Sequence, residues 1–191
     1  ARGGADDDGA SFDGLLEAML AVRDEDGRGI DTEKIIDETI TALFAAHDTT
    51  SNTLSWAMYA LSKHRDVQAK VAAEARAALA ADHDELDASR LPYARAVINE
   101  VLRLFGPVSM LDRVAARDTV VCGVRVPAGT AVAMQLDAVA RNAKYWGAQP
   151  EAFIPERWQS DDVRARHPFA FAPFSANSRN CIGSRPRPPG V

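Results

Sequence analysis

A helical apolar period running from residue 32 to residue 63 constrains this chain more than any other feature. Asp31 or Thr32 stands where a capping residue belongs, and Glu33 and Asp37 suit the positive end of the helix dipole. Ile35, Ile36, Ile40, Leu43 and Phe44 form one apolar stripe, and Leu54, Ala57, Met58 and Leu61 form a second. Unbroken, such a helix is about 48 Å long at 1.5 Å per residue, enough to cross a whole domain. Between the stripes lies Ala45-Ala46-His47-Asp48-Thr49-Thr50-Ser51-Asn52-Thr53, with no large apolar side chain. Ser, Thr, Asn and Asp compete with the backbone for hydrogen bonds, so this block predicts a kink or bulge with a purpose.

The remaining pattern surrounds that helix with shorter elements. Residues 1–11 are rich in Gly, Ala and Asp and read as loose. Phe12, Leu15, Leu16, Met19 and Leu20 follow helical spacing, with Gly27 and Gly29 as its end. Asp66–Ala81 reads as an Ala-rich helix. Leu91–Phe105 reads as another, with Pro92 in its first turn and Gly106-Pro107 as its stop. The period then changes: Val114, Val120-Val121, Val124, Val126 and Ala131–Met134 predict short strands joined by turns at Cys122-Gly123 and Pro127-Ala128-Gly129. Asp137–Asn142 predicts one more short helix, and from Lys144 onward the chain reads as irregular but packed. The fold class is mostly α with a small β region (α+β).

Composition removes several function classes. Net charge is −5 over 191 residues with no dense Lys/Arg stripe, which argues against a nucleic-acid partner. Two cysteines, Cys122 and Cys181, exclude a disulfide scaffold. No apolar run reaches the roughly 20 residues that span a bilayer.

Three constellations carry chemistry. Glu100 and Arg103, spaced i, i+3, share a helix face among apolar neighbours. On spacing alone a surface ion pair is the commoner reading. In the block 46–50, an acid followed by an alcohol (Asp48, Thr49) can hold water and pass protons, or its hydroxyls can simply bond back to the helix. The third is Phe174-Ser175-Ala176-Asn177-Ser178-Arg179-Asn180-Cys181-Ile182-Gly183. A lone Cys in such a loop is usually an inert small hydrophobe. Arg179 two residues away nevertheless favours its thiolate. No Cys or His stands at zinc spacing from it, whereas a haem iron needs one axial protein ligand. His64 and His83 read as surface residues.

Taken in order, these motifs resemble the cytochrome P450 family of haem-thiolate monooxygenases. Ala46–Thr50 resembles the oxygen-activating motif of that family's long central helix, and Glu100-x-x-Arg103 its Glu-x-x-Arg helix. Pro155-Glu156-Arg157-Trp158 resembles its Pro-Glu-Arg-Phe/Trp segment, and Phe174–Gly183 its loop Phe-x-x-Gly-x-Arg-x-Cys-x-Gly. Ser55-Trp56, Leu61-Ser62-Lys63-His64 and Pro127-Ala128-Gly129-Thr130 are also alike. The likeness covers residues 12–184, in the flavour of the eukaryotic-type fatty-acid hydroxylases and their bacterial relatives.

The resemblance implies the C-terminal part of the P450 fold, one partial domain over residues 1–191. It implies a monooxygenase with haem b, inserting one oxygen atom from dioxygen into a small apolar substrate. Electrons would come from an NADPH-dependent reductase or a ferredoxin. Cys181 would be the thiolate on the haem iron. Arg179 and Arg113 would pair with haem propionates, and Phe174 and Gly183 would belong to the cofactor-binding loop. Asp48 and Thr49 would deliver protons. Glu100, Arg103 and Arg157 would form a buried structural triad, and Cys122 would be a bystander.

Two positions depart from the family's pattern. Asn177 stands where the loop usually has Gly, and Ala46 where the central helix often has Gly. If position 177 needs a positive φ, Asn is the best substitute. Family chains are about twice to two and a half times this length. With Ala1 in place of Met and a Pro-rich ending from Arg185 to Val191, the expectation is a fragment cut at both ends that does not bind haem tightly alone. The alternative function is a non-catalytic helical remnant. Location stays open between endoplasmic reticulum membrane and cytoplasm, and any membrane anchor would lie in a preceding segment.

Overall fold

The computed structural model describes residues 14–81 and 88–184. Phe12, the loose stretch 1–11, His83 and the Pro-rich stretch 185–191 lie outside the described residues. The chain divides into two compact units, Ala1–Asp48 and Thr49–Val191.

In the first unit, α1 spans Leu15–Ala21. It ends well before Gly27, contrary to expectation, because Val22 already turns extended (ψ 135°). Arg23 and Gly29 then pair as an isolated antiparallel bridge. Asp24 Oδ1 closes the turn between them by accepting from the N–H groups of Asp26 (3.0 Å) and Arg28 (2.8 Å). Gly27, with φ 78°, is a turn residue rather than a helix end.

The long helix α2 spans Thr32–Lys63, and Asp31 Oδ1 accepts from Glu33 N at its start. It is α-helical without interruption through the polar block, so the expected bulge is not there. Hydroxyls bond back to carbonyls one turn earlier, Thr53 to Thr49 (2.8 Å) and Ser55 to Ser51 (2.8 Å). These bonds consume the side-chain hydrogen-bonding capacity that would otherwise compete with the helix. The stripe in the first half is largely exposed: Leu43 is 70% and Phe44 71% accessible, and only Ile35 is buried.

The second unit contains the core. Helix α3 spans Arg65–Ala81 and α4 spans Pro92–Phe105. Along α4, Tyr93, Ala96, Val97, Glu100, Val101 and Leu104 recur every three or four residues and are all buried, as one face of a helix must be. Val101 packs on Ala57 and Ala60 of α2, flanked by Ile98 and Phe153. Val97 and Tyr93 pack on Val67 of α3, flanked by Leu61, Val71 and again Phe153. His64 is half-buried rather than a surface residue, its ring 5.0 Å from that of Phe153. Pro92 tolerates the first turn of α4, and Glu74 of α3 accepts from the free N–H groups of Tyr93 and Ala94 at 2.7 and 2.8 Å. Gly106 follows α4 because a Cβ there would lie 2.5 Å from the Leu102 carbonyl oxygen.

Strands β1 (Met110–Val114) and β4 (Ala131–Gln135) pair antiparallel, Asp112 opposite Ala133. Strands β2 (Thr119–Val121) and β3 (Val124–Val126) form a hairpin. Its turn residues, Cys122 (φ 50°) and Gly123 (φ 82°), are both left-handed, the geometry that matches strand twist in a two-residue loop. Short helices α5 (Leu136–Ala140), α6 (Ala143–Trp146) and α7 (Asp162–Ala165) follow, with 3₁₀ turns at Pro155–Trp158, Pro168–Ala170 and Asn177–Arg179. No helix among the described residues is long and apolar enough to cross a membrane.

Candidate functional site

Three elements of the second unit line an open cavity of about 440 Å³. The half of α2 after Asp48 supplies Thr49, Thr50, Thr53 and Leu54; α4 supplies Ile98 and Leu102; the loop after residue 172 supplies Phe174, Ser175, Arg179 and Cys181. Pro107, Val108, Leu111 and Leu136 complete a mostly apolar wall. Residues 49 and 181, far apart in sequence, thus face one space together with a single thiol and a single guanidinium.

The loop's backbone explains how Cys181 is held. Cys181 N donates to Phe174 O at 2.8 Å, which ties the two ends of the loop together. The Cys181 carbonyl accepts from Ser184 N (3.1 Å) and Ser184 Oγ (2.7 Å). Between the ends, Asn177 N-terminal to Arg179 has φ 61°, and its carbonyl accepts from Asn180 N at 3.1 Å. The left-handed conformation is therefore required at the position where Asn replaces Gly. Ser175, with φ 63°, is a second left-handed residue. Sequence reading missed it because Ser carries no turn signal as specific as Gly or Asn.

Behind the cavity, Glu100 is the buried centre of an ion cluster. Its Oε1 accepts from Arg103 Nη2 (2.8 Å), Arg157 Nε (2.9 Å) and Ile154 N (2.9 Å). Its Oε2 accepts from Arg103 Nε (2.9 Å) and Trp158 Nε1 (2.9 Å). Arg103 donates further to the carbonyls of Ala140, Pro150 and Ala152, and Arg157 to those of Trp146, Gln149 and Ala152. Burial pushes the Glu100 carboxyl up, but the hydrogen bonds from Arg103 and Ile154 and the charges of both arginines hold it below the usual range. The surface-pair reading of Glu100 and Arg103 fails because α4 turns that face into the core. The carbonyls around Arg103 and Arg157 come from the ends of α5 and α6 and the turns after them, and no motif marks which carbonyls face the arginines.

This architecture has known counterparts. The cytochrome P450 family model matches residues 6–185. The chain belongs to the cytochrome P450 family. Members of that family are, in general, haem-dependent monooxygenases. This P450 chain is 36% identical to cytochrome P450 4V2 of Rattus norvegicus over 174 residues, 90% of this chain and 33% of the relative. It is 37% identical to cytochrome P450 4d2 of Drosophila melanogaster over 180 residues, 92% of this chain and 34% of the relative. The chain thus spans about a third of the length of the curated relatives it matches. Among solved structures, a retinoic-acid-bound cyanobacterial CYP120A1 superposes with a TM-score of 0.80 at 31% identity, covering 88% of this chain and 39% of that one.

The P450 fold brings some of the expected residues together and leaves others apart. Thr49, Phe174, Arg179 and Cys181 share the cavity wall. Gly183 is not part of that wall; a Cβ on it would lie 3.8 Å from Cys181 Sγ, an ordinary contact. Arg113 sits on exposed β1 and donates to Asp112 O at 2.7 Å, two residues beyond the wall residue Leu111. Asp48 is exposed on α2. Trp158 and Ile154, which complete the shell of Glu100, were not expected; Trp158 lies within the Pro-Glu-Arg-Trp motif, but nothing in a motif tells which carboxylate an indole reaches.

Proposed function

We propose that this chain carries the haem-binding portion of a P450 monooxygenase that inserts one oxygen atom of dioxygen into a small apolar substrate. The observation that carries this reading is the single cavity lined by Cys181, Arg179, Phe174 and Thr49 within otherwise apolar walls. Those residues fit iron protoporphyrin IX: one thiol for the metal, one guanidinium for a carboxylate, and apolar surface for the ring. Among the described residues no cluster of three or more His, Cys, Asp or Glu offers an alternative metal site. When bound, haem supplies the iron that activates dioxygen.

The chain's own residues have separable tasks. Cys181, its backbone fixed by Phe174 and Ser184, would offer its sulfur to the haem iron. Arg179 would hold a haem propionate, and Arg113 is the second candidate for that task. Phe174, on the same wall as Cys181, would pack its ring against the porphyrin, and Gly183 keeps the end of the loop small. Thr49 holds a proton at its hydroxyl in the cavity wall, and Asp48, its neighbour on α2, is the second member of the proton-delivery pair. Glu100, Arg103 and Arg157 tie residues 140–158 to α4 and take no part in the cavity wall. Electrons come from a reductase or a ferredoxin.

The test is spectroscopic. The full chain is mixed with haemin in excess, reduced and exposed to carbon monoxide. A red-shifted thiolate band is expected, and Cys181→Ser should abolish it. A folded chain that takes up no haem, or a variant with the same band as the parent, overturns the reading and favours a non-catalytic remnant.

A further inference from the structure

Ser175 holds a backbone conformation that its side chain does not favour. Its φ is 63°, in the left-handed region, where residues other than Gly, Asn and Asp are uncommon. Asn177, two residues on at φ 61°, is of the tolerated type. Strain of this kind persists where the surrounding structure fixes it, and it collects at ligand-binding positions. The fixing bonds are explicit here. Ser175 N donates to Ala172 O at 3.1 Å, and the preceding carbonyl, that of Phe174, accepts from Cys181 N at 2.8 Å. Glycine would make both bonds without the strain, so the backbone alone gives no reason for a side chain at 175.

The side chain itself supplies one. Ser175 belongs to the wall of the Cys181 cavity and is half-buried. Its hydroxyl has no hydrogen-bond partner among the described residues. Unlike Trp146 Nε1 and Arg166 Nη1, which are buried without partners, it keeps accessible surface. Thr53, another wall residue, by contrast spends its hydroxyl on Thr49 O at 2.8 Å. Arg179, four residues after Ser175 in the same loop and on the same wall, has no ion-pair partner among the described residues. The loop thus offers a mostly apolar cavity one uncommitted hydroxyl and one uncommitted guanidinium.

We propose that the Ser175 hydroxyl donates to a porphyrin propionate and holds it jointly with Arg179. A carboxylate has two oxygens and can take charge-assisted bonds from both donors at once. Ser175 is then a ligand-binding residue of the loop, and the strain at 175 is the cost of keeping a hydroxyl there. The assignment rests on the proposed function, because it takes the ligand of this cavity to be iron protoporphyrin IX.

The test uses the full chain and two metal-free porphyrins, protoporphyrin IX and its dimethyl ester, so that no bond between iron and Cys181 contributes. Affinities are read by titration of porphyrin fluorescence. Ser175→Ala keeps a side chain in the left-handed region and loses the hydroxyl; Ser175→Gly loses the hydroxyl and the strain together. Each should weaken protoporphyrin IX binding about tenfold, the size expected for a hydrogen bond to a charged group. Each should change binding of the ester by less than about threefold, because a neutral ester oxygen is the weaker acceptor. Unchanged protoporphyrin IX affinity in Ser175→Ala, or equal losses for acid and ester, overturns the assignment. So does a Ser175→Gly variant that binds like the parent, which would place the effect in the backbone. A parent that binds neither porphyrin overturns the assignment together with the proposed function. A parent that gives the thiolate band with carbon monoxide, while its Ser175 variants keep parental affinity, overturns the assignment alone.

Discussion

Glu100 is where single-residue chemistry weighs most. A fully buried carboxylate with five donors around it is stabilising only while all its partners remain. Glu100→Gln keeps the volume and removes the charge, leaving Arg103 buried and uncompensated. We expect a loss of roughly 3–5 kcal/mol, read from urea unfolding. A variant within 1 kcal/mol of the parent, on the order of an exposed pair, would show that the cluster behaves like a surface bridge. The sign of the pH effect follows from the direction of the shift. The carboxyl's folded pKa lies below its ordinary value, so its contribution is complete above about pH 4.5. It is lost as pH falls from there toward the folded pKa. The parent should therefore lose stability below pH 4.5 more steeply than Glu100→Gln. Parallel acid profiles would contradict this. Tryptophan fluorescence suits the measurement, since Trp56, Trp146 and Trp158 all lie in the second unit. At this scale the sequence was informative about identity and not about surroundings. Spacing placed Glu100 and Arg103 on one helix face, but their burial depends on carbonyls from residues 140–152 that no local pattern announces.

Elements behave differently from residues, because an element inherits its environment from whatever packs on it. The bounds of α2 were legible to the residue, since a capping Asp and a sustained 3.6-residue period are local signals. The fate of its apolar stripe was not. Ile40, Leu43 and Phe44 look like core in sequence and are exposed in the structure. Large exposed apolar side chains favour self-association and add little to folding. Replacing Leu43 and Phe44 together by Gln should reduce sedimentation-detected association while changing stability by no more than about 0.5 kcal/mol per site. A larger loss would mean that the stripe is covered. The Cys181 loop gives a complementary case. A left-handed Ser costs about 1–2 kcal/mol, offset in a Gly variant by about 0.5–1 kcal/mol of extra unfolded-chain entropy. Ser175→Gly should therefore stabilise by about 0.5 kcal/mol in urea midpoint terms. Asn177→Gly should be near neutral, because Asn tolerates that region. The reverse order would remove backbone conformation as the explanation.

At the scale of the molecule, the apolar core of the second unit is modest: mostly Ala and Val, with Arg103 and Glu100 its largest fully buried side chains. An apolar-walled cavity of about 440 Å³ lies beside it, so stability should depend on whatever fills that space. Motifs singled out Thr49, Phe174, Arg179 and Cys181, which line this cavity, but also Asp48, Arg113 and Gly183, which do not; which side chains reach the wall is set by how α2, α4 and the loop pack, and no local pattern carries that. Haemin and metal-free protoporphyrin IX separate two contributions. Both bury the apolar wall, but only haemin can bond the sulfur of Cys181. A ligand held at one hundred times its dissociation constant stabilises by about 2.7 kcal/mol, which corresponds to a rise of about 1 M in urea midpoint for a chain of this size. At equal concentrations, haemin should raise the midpoint more than protoporphyrin in the parent, and the two should be equal in Cys181→Ser, because the porphyrin contacts survive and the metal bond does not. Equal shifts in the parent would show that the sulfur contributes nothing. A difference that persists in Cys181→Ser would move the iron ligand to another residue.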